Sequence, residues 1–126
     1  MQKTGQIYVL GDGDKIRERV EYHLFNHDTE NLKKFSQSLT EAINEIKVIA
    51  ISTMDAQVII AGGDDILFYV SSEKYQRAII QRLRETFYDI AGITISFGVG
   101  NTIEAAYINV RRAKVSKVVK IIEEEE

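Results

Sequence analysis

The chain has no cysteine, which excludes a disulfide framework, a thiolate zinc site and a cysteine nucleophile. It has no proline either, so no element is interrupted on that ground. No apolar run is long enough to span a bilayer and no leader-like segment opens the chain, so a soluble, cytoplasmic protein is expected. Excess positive charge is also lacking. The net charge of -3 argues against broad binding of long nucleic acid, which needs a basic face. A small phosphorylated ligand remains compatible, because one or two lysines and a metal ion can hold it. No repeat or linker divides the 126 residues, which read as one domain over 1–126, with the acidic tail 123–126 as a solvated end.

What is present centres on Ile59-Ile60-Ala61-Gly62-Gly63-Asp64-Asp65-Ile66-Leu67-Phe68. The β-branched, apolar runs on either side read as the arms of a hairpin, and glycine suits the positive φ of its tight turn. Two adjacent carboxylates therefore sit at the rim of a packed sheet. Like charges seldom gather beside a core unless a cation neutralises them.

Periodicity supplies the rest of the outline. Ile7–Leu10 reads as a strand ending in Gly11-Asp12-Gly13-Asp14. A helix follows with Ile16, Val20 and Leu24 on one side, broken at Asn26-His27-Asp28, and a second helix carries Leu32, Phe35, Leu39, Ile43 and Ile46. Val48–Ser52 reads as a strand, Gln57–Ala61 with Ile66–Val70 as the hairpin, and Tyr75, Ile79, Leu83, Phe87 and Ile90 as a helix. Ile93–Val99 alternates as a half-buried strand, Ile103, Ala106, Tyr107, Val110 and Ala113 outline a helix, and Val115–Ile122 a last strand. The order β-α-α-β-β-β-α-β-α-β contains βαββαβ, so the expected class is α+β, a ferredoxin-like split βαβ with helices on one face of an antiparallel sheet. That face-sidedness leaves Thr94, Ser96 and Gly98 on an open face.

This topology sets the first strand beside Ile66–Val70, so Asp12 and the turn residues Asp64 and Asp65 share one edge. The helix after Ile93–Val99 returns Lys114 to the same neighbourhood. Three carboxylates with no histidine or cysteine among them suit a hard cation such as Mg²⁺ or Mn²⁺. Two such ions about 3.5–4 Å apart serve phosphoryl or nucleotidyl transfer. Bare glycine backbone lets N–H groups approach phosphate closely, and Lys114 offers a point charge. Asp14 either caps the helix that follows or joins the nucleotide-binding set. Ser36 reads as a small residue permitting close packing or as a nucleotide contact. His23 and His27, four apart, lack a third ligand and are declined as a metal pair.

Gly11-Asp12-Gly13-Asp14, Ala61–Phe68, Ser96-Phe97-Gly98-Val99-Gly100 and Arg112-Ala113-Lys114 together resemble the minimal CRISPR polymerase family. That family is similar to the palms of type III CRISPR large subunits and of GGDEF diguanylate cyclases. The resemblance implies a nucleotide cyclase of bacterial anti-phage signalling, in which a ribose hydroxyl attacks an α-phosphate and releases pyrophosphate. Carried over by position, Asp12 with the Gly13 carbonyl and Asp64 bind metal. Asp65 completes a second metal site or helps deprotonate the hydroxyl, Gly62 and Gly63 line the nucleotide, and Lys114 touches phosphate. Where diguanylate cyclases carry a guanine-reading asparagine, this chain has Val20, which turns the expected substrate to ATP and the product to cyclic di-AMP or a linkage isomer.

The resemblance also implies a separate, membrane-associated effector that responds to the nucleotide. Making two linkages between two nucleotides is simplest with two palms face to face, hence an expected homodimer. Two rival readings are a catalytically silent palm that senses nucleotide and a ferredoxin-like interaction domain whose glycine turn is structural.

Overall fold

The computed structural model describes residues 5–116 and 120–123. The elements run β1 (Gln6–Gly13), α1 (Ile16–Phe25), α2 (Thr29–Met54), β2 (Gln57–Gly62), β3 (Asp65–Ser71), α3 (Arg77–Ala91), β4 (Ile95–Gly100), α4 (Ile103–Val115) and β5 (Ile121–Glu123). They form one five-stranded sheet in the order β2-β3-β1-β4-β5. Its first four strands pair antiparallel and β5 runs parallel to β4. The ferredoxin-like βαββαβ core is therefore present, with an added edge strand that makes the sheet mixed.

Period-two alternation assigns each face. Val9, Ile66, Phe68, Val70, Ile95, Phe97 and Val99 turn to one side, where they pack with Phe35, Leu39, Ile43 and Ile46 of α2 and Ile80, Leu83 and Phe87 of α3. Phe68, Phe87 and Phe97 are fully buried. Each contributes roughly 2–3 kcal/mol of hydrophobic stabilisation relative to exposure. Asp28 starts α2 by accepting a hydrogen bond from the Asn31 backbone N–H at 3.1 Å.

Several expectations shift. The stretch Val48–Ser52 is helix, forming the last turns of α2. Its β-branched residues suggest a strand, yet Ile46, Ile49, Ala50 and Met54 are the buried ones, and that three- and four-residue spacing continues the helical stripe while Val48 and Ile51 face water. Of the strand expected over Val115–Ile122, Val115 instead ends α4 and Ile121 and Ile122 belong to β5, while residues 117–119 lie outside the described residues. Part of the acidic tail is likewise outside them. Glu123, which is described, is not simply solvated: it accepts hydrogen bonds from Tyr75 Oη and from Arg77 Nη1.

The fourth helix crosses the face that was expected to stay open. A Cβ on Gly98 would lie 2.1 Å from Val110 N and 2.2 Å from Ala106 O, so the α4 backbone rests directly on β4. Small residues at Ser96, Gly98 and Gly100 permit that approach. All six residues of β4 are consequently buried.

Candidate functional site

The acidic rim is built by strand register. Asp12, next to last in β1, pairs with Asp65 at the start of β3 on one side and with Ser96 of β4 on the other. The β2–β3 turn is formed by Gly63 and Asp64, with Gly62 and Asp65 as the closing pair. Gly63 has φ +60°, a value a Cβ would strain, and supplies the positive φ that a two-residue hairpin turn requires. The Gly13 N–H donates to the Asp64 carbonyl at 2.9 Å and fastens the end of β1 to the turn. Gly13 is closely packed: a Cβ there would sit 3.0 Å from Ile16 Cδ1 and 3.3 Å from Asp64 Cβ, so those side chains would have to give by a few tenths of an ångström.

One carboxylate oxygen from each of Asp12, Asp64 and Asp65 lies within 4.8 Å of the other two. Three negative groups this close perturb one another. The Asp64 carboxyl is raised by partial burial, then by its hydrogen bond to Asp12 and that residue's charge, with Lys114 opposing. Asp65 is pushed up to about 7 by the same causes, burial first, then the Asp12 hydrogen bond and the charges of Asp64 and Asp12. The donor set is all oxygen and electrostatically unsatisfied, and that fits a hard divalent cation.

Behind the rim sits a second polar group. Asp14 is buried, and its carboxylate accepts from Thr94 Oγ1 at 2.6 Å, Ser96 Oγ at 2.7 Å and Lys114 Nζ at 2.8 Å. Burial alone would raise this carboxyl, but the hydrogen bonds from Lys114, Thr94 and Ser96 outweigh it and hold the group below its usual range. Asp14 is thus not a helix cap; α1 has Lys15 at its N-cap, with no side-chain cap bond. Lys15 adopts φ 58°, a left-handed conformation that costs a non-glycine residue on the order of 1 kcal/mol.

Lys114 arrives from the end of α4 as expected. Its ammonium donates to the Asp12 carbonyl at 2.8 Å, the Gly13 carbonyl at 2.6 Å and Asp14 Oδ1, and stands 3.4 Å from Asp12 Oδ2. Alongside opens a cleft of about 670 Å³ whose lining includes Asp14, Lys15, Thr94, Lys114 and Lys120.

The structure thus brings Asp12, Gly13, Asp14, Asp64, Asp65 and Lys114 together, with Gly62 and Gly63 at the hairpin end. Ser36 is exposed on α2, where its carbonyl accepts from Thr40 Oγ1. Sequence reasoning missed Thr94 and Ser96 as partners of a buried carboxylate, and it missed Lys15 and Lys120. The available signal was the Thr-x-Ser spacing on one strand face.

A ferredoxin-like sheet with carboxylates at the end of its first strand and on the adjoining hairpin turn is a palm-type domain. The model of the minimal CRISPR polymerase domain matches residues 8–123, and the chain belongs to that family. Among solved structures, the fold is similar to Csm1 in a Csm1–Csm4 cassette in complex with AMPPNP, at TM-score 0.73 and 19% identity over 90% of this chain and 20% of that one. Csm1 of T. onnurineus gives TM-score 0.70 at 17% identity, over 94% of this chain and 20% of that chain. The adenylyl cyclase CyaB from P. aeruginosa gives 0.53 at 13% identity, over 76% and 55%. This chain therefore spans about a fifth of the length of the Csm1 chains. No curated protein sequence matches it significantly.

Proposed function

We propose that this palm joins two ATP molecules into a cyclic dinucleotide, cyclic di-AMP or a linkage isomer, with release of pyrophosphate, in a bacterial anti-phage signalling system. The observation that carries the reading is the convergence of Asp12, Asp64 and Asp65 within 4.8 Å at the end of a palm sheet. Those carboxylates, with the Gly13 carbonyl, would hold Mg²⁺ or Mn²⁺. That carbonyl has a second lone pair beside the one Lys114 occupies. A bound divalent cation supplies charge neutralisation on the phosphates and a more acidic ribose hydroxyl.

The remaining roles belong to the chain's own groups. In each of two transfers, a ribose hydroxyl oxygen forms a bond to an α-phosphorus while the bond to the pyrophosphate leaving group breaks. Asp65 completes a second metal site or helps to take the hydroxyl proton. Gly62 and Gly63 present bare backbone to the nucleotide, and a Cβ on either would meet nothing within 4 Å, so that edge is open to a ligand. The adjoining cleft offers Lys15 and Lys120 to triphosphate charge. ATP is preferred over GTP because Val20 packs against the apolar core and offers no hydrogen bond to a guanine edge.

One palm holds one triphosphate, so two palms with apposed rims form the working unit. The product acts on a separate, membrane-associated effector. No helix among the described residues is long and apolar enough to cross a membrane.

The test is incubation with each nucleoside triphosphate and Mg²⁺ or Mn²⁺, with products read by mass spectrometry. ATP should give a cyclic dinucleotide, and Asp64→Ala should abolish it while keeping a cooperative melt. Binding of ATP without any product would instead identify a silent sensor. Sedimentation with ATP and Mg²⁺ should show a dimer, and a strictly monomeric active species would refute the paired-palm arrangement.

A further inference from the structure

Beside the lysine-lined cleft lies a second hollow that the proposed reaction does not use. Among the described residues, β5 pairs with β4 only from Phe97 to Val99, so the start of β4 has no strand partner on that side. Gln81, Arg84, Glu85, Tyr88 and Asp89, at three- and four-residue steps, make one stripe of α3 along this gap. Arg84 stands in for the missing strand, its Nε donating to the Ile95 carbonyl at 3.0 Å. Between the stripe and Thr94 opens a cavity of about 450 Å³, within the roughly 300–1,000 Å³ of small-ligand pockets. Tyr88 and Thr94 also line the cleft that holds Lys15 and Lys120, so the two hollows share a wall.

Their chemistries differ. The cleft gathers ammonium groups; the lining of the second hollow has none and presents the ring of Tyr88, which is 55% exposed. Arg84 and Asp89 flank that ring in sequence, and neither makes an ion pair among the described residues. An aromatic face binds a flat base by stacking, a carboxylate accepts from its amino group, and a guanidinium donates to its ring nitrogens. Ammonium groups next door suit phosphate.

We propose that the joined hollows form a regulatory site for a purine nucleoside phosphate, with the base on Tyr88 between Arg84 and Asp89 and the phosphates on Lys15 and Lys120. Those two lysines are the cations proposed to meet the triphosphate of ATP, so a nucleotide bound this way competes with substrate. It needs no divalent ion, because Asp12, Asp64 and Asp65 take no part. The inhibition rests on the proposed activity; the binding does not.

The test is calorimetric titration of ADP and of GDP, separately, in EDTA. Both bases present an amino group to Asp89 and N7 to Arg84, and the two arms tell them apart. Wild-type protein should bind at least one with Kd below about 1 mM. Tyr88→Ala should weaken that binding about tenfold, the loss of one stacked base, and Tyr88→Phe should retain it. Asp89→Asn should also weaken it about tenfold, whereas Asp64→Ala and Tyr22→Ala, the latter at a distant exposed tyrosine, should bind as wild type does. In turnover with ATP and Mg²⁺, the same nucleotide should inhibit, and Tyr88→Ala should raise its inhibition constant about tenfold with kcat and KM within about threefold of wild type. Failure of both nucleotides to bind wild-type protein would overturn the proposal, as would wild-type affinity in Tyr88→Ala. An inhibition constant unmoved by Tyr88→Ala would overturn the competition. If Tyr88→Ala loses its cooperative melt, Asp89→Asn decides. If wild-type protein forms no product, the titrations still decide, and the failure belongs to the proposed activity.

Discussion

Replacing Asp65 with asparagine should stabilise the protein in the absence of divalent cations, by an amount that grows as pH rises from about 4 to about 7 and is complete above that. The Asp65 carboxyl moves from 3.8 to about 7 in the folded state, through burial, its hydrogen bond to Asp12 and the charges of Asp64 and Asp12. That is roughly three pKa units, or about 4 kcal/mol of disfavoured ionisation before screening. Asp65 is exposed, so solvent screening reduces this to about 1–2 kcal/mol. The sign follows from proton counting. Between the unfolded value of 3.8 and the folded value of about 7, the folded chain binds the extra proton, so stability falls as pH rises through that window. At about pH 8 the wild type carries the full penalty and Asp65→Asn carries none of it; at about pH 4 both are close to neutral at this position. Thermal melts in EDTA should therefore show Asp65→Asn melting about 3–8 °C higher at the upper pH, with little difference at the lower. Adding Mn²⁺ should raise the wild-type melting temperature and raise that of the variant much less, since the variant has lost one of the three carboxylates proposed to hold the ion. An unchanged melting temperature at high pH, or an equal gain at both pH values, would refute the reading of the rim as mutually repelling carboxylates.

Gly98→Ala should cost at least about 3 kcal/mol and leave little folded protein by circular dichroism, because its Cβ would enter the backbone of α4 at 2.1 Å from Val110 N. Asp28→Ala removes the side-chain cap of α2 and should lower stability by about 1 kcal/mol in urea unfolding, with activity unchanged. Tyr75→Phe removes the hydroxyl that binds Glu123 and should speed amide exchange in β5 before any other strand, at a cost of about 1 kcal/mol. Breaking the exposed Lys74–Asp55 pair by Lys74→Ala should change stability by less than about 1 kcal/mol, read by the same unfolding curve.

Much of the site was legible in the sequence because it rests on strand alternation and short connections. Gly63 identifies a turn, the turn identifies a hairpin, and the split βαβ order places β1 beside the hairpin's second arm, so a shared edge for Asp12, Asp64 and Asp65 follows from those steps, while the register that sets Asp12 opposite Asp65 comes from the structure. The end of α2 was not legible, since Val48, Ile49 and Ile51 have the composition of a strand and only packing against the core reveals the helical stripe. The seat of α4 was hidden for a related reason. Small residues on a strand face equally suit an open surface or a closely packed helix, and nothing local separates the two. Asp14 shows the limit most clearly. Beside glycine at the start of a helix it has every local mark of a cap, but its bonds run to Thr94, Ser96 and Lys114, eighty or more residues away, and only the register of β1 on β4 brings those groups within reach.

The pairing of Asp12 with Asp65 also makes the hairpin a ruler. Because side chains alternate across a sheet, deleting either Gly62 or Gly63, or inserting one residue between them and Asp65, would rotate the downstream strand by one place. After an insertion Asp65 would take the place of Ile66, facing the apolar layer beneath α2 and α3, and after a deletion Ile66 would take the place of Asp65 at the rim. Every single-residue length change in this turn should therefore inactivate the protein, whatever residue is added, whereas many substitutions at Gly62 should be tolerated. In a scan of insertions and deletions along the chain, the turn would stand out as a position where length matters more than identity.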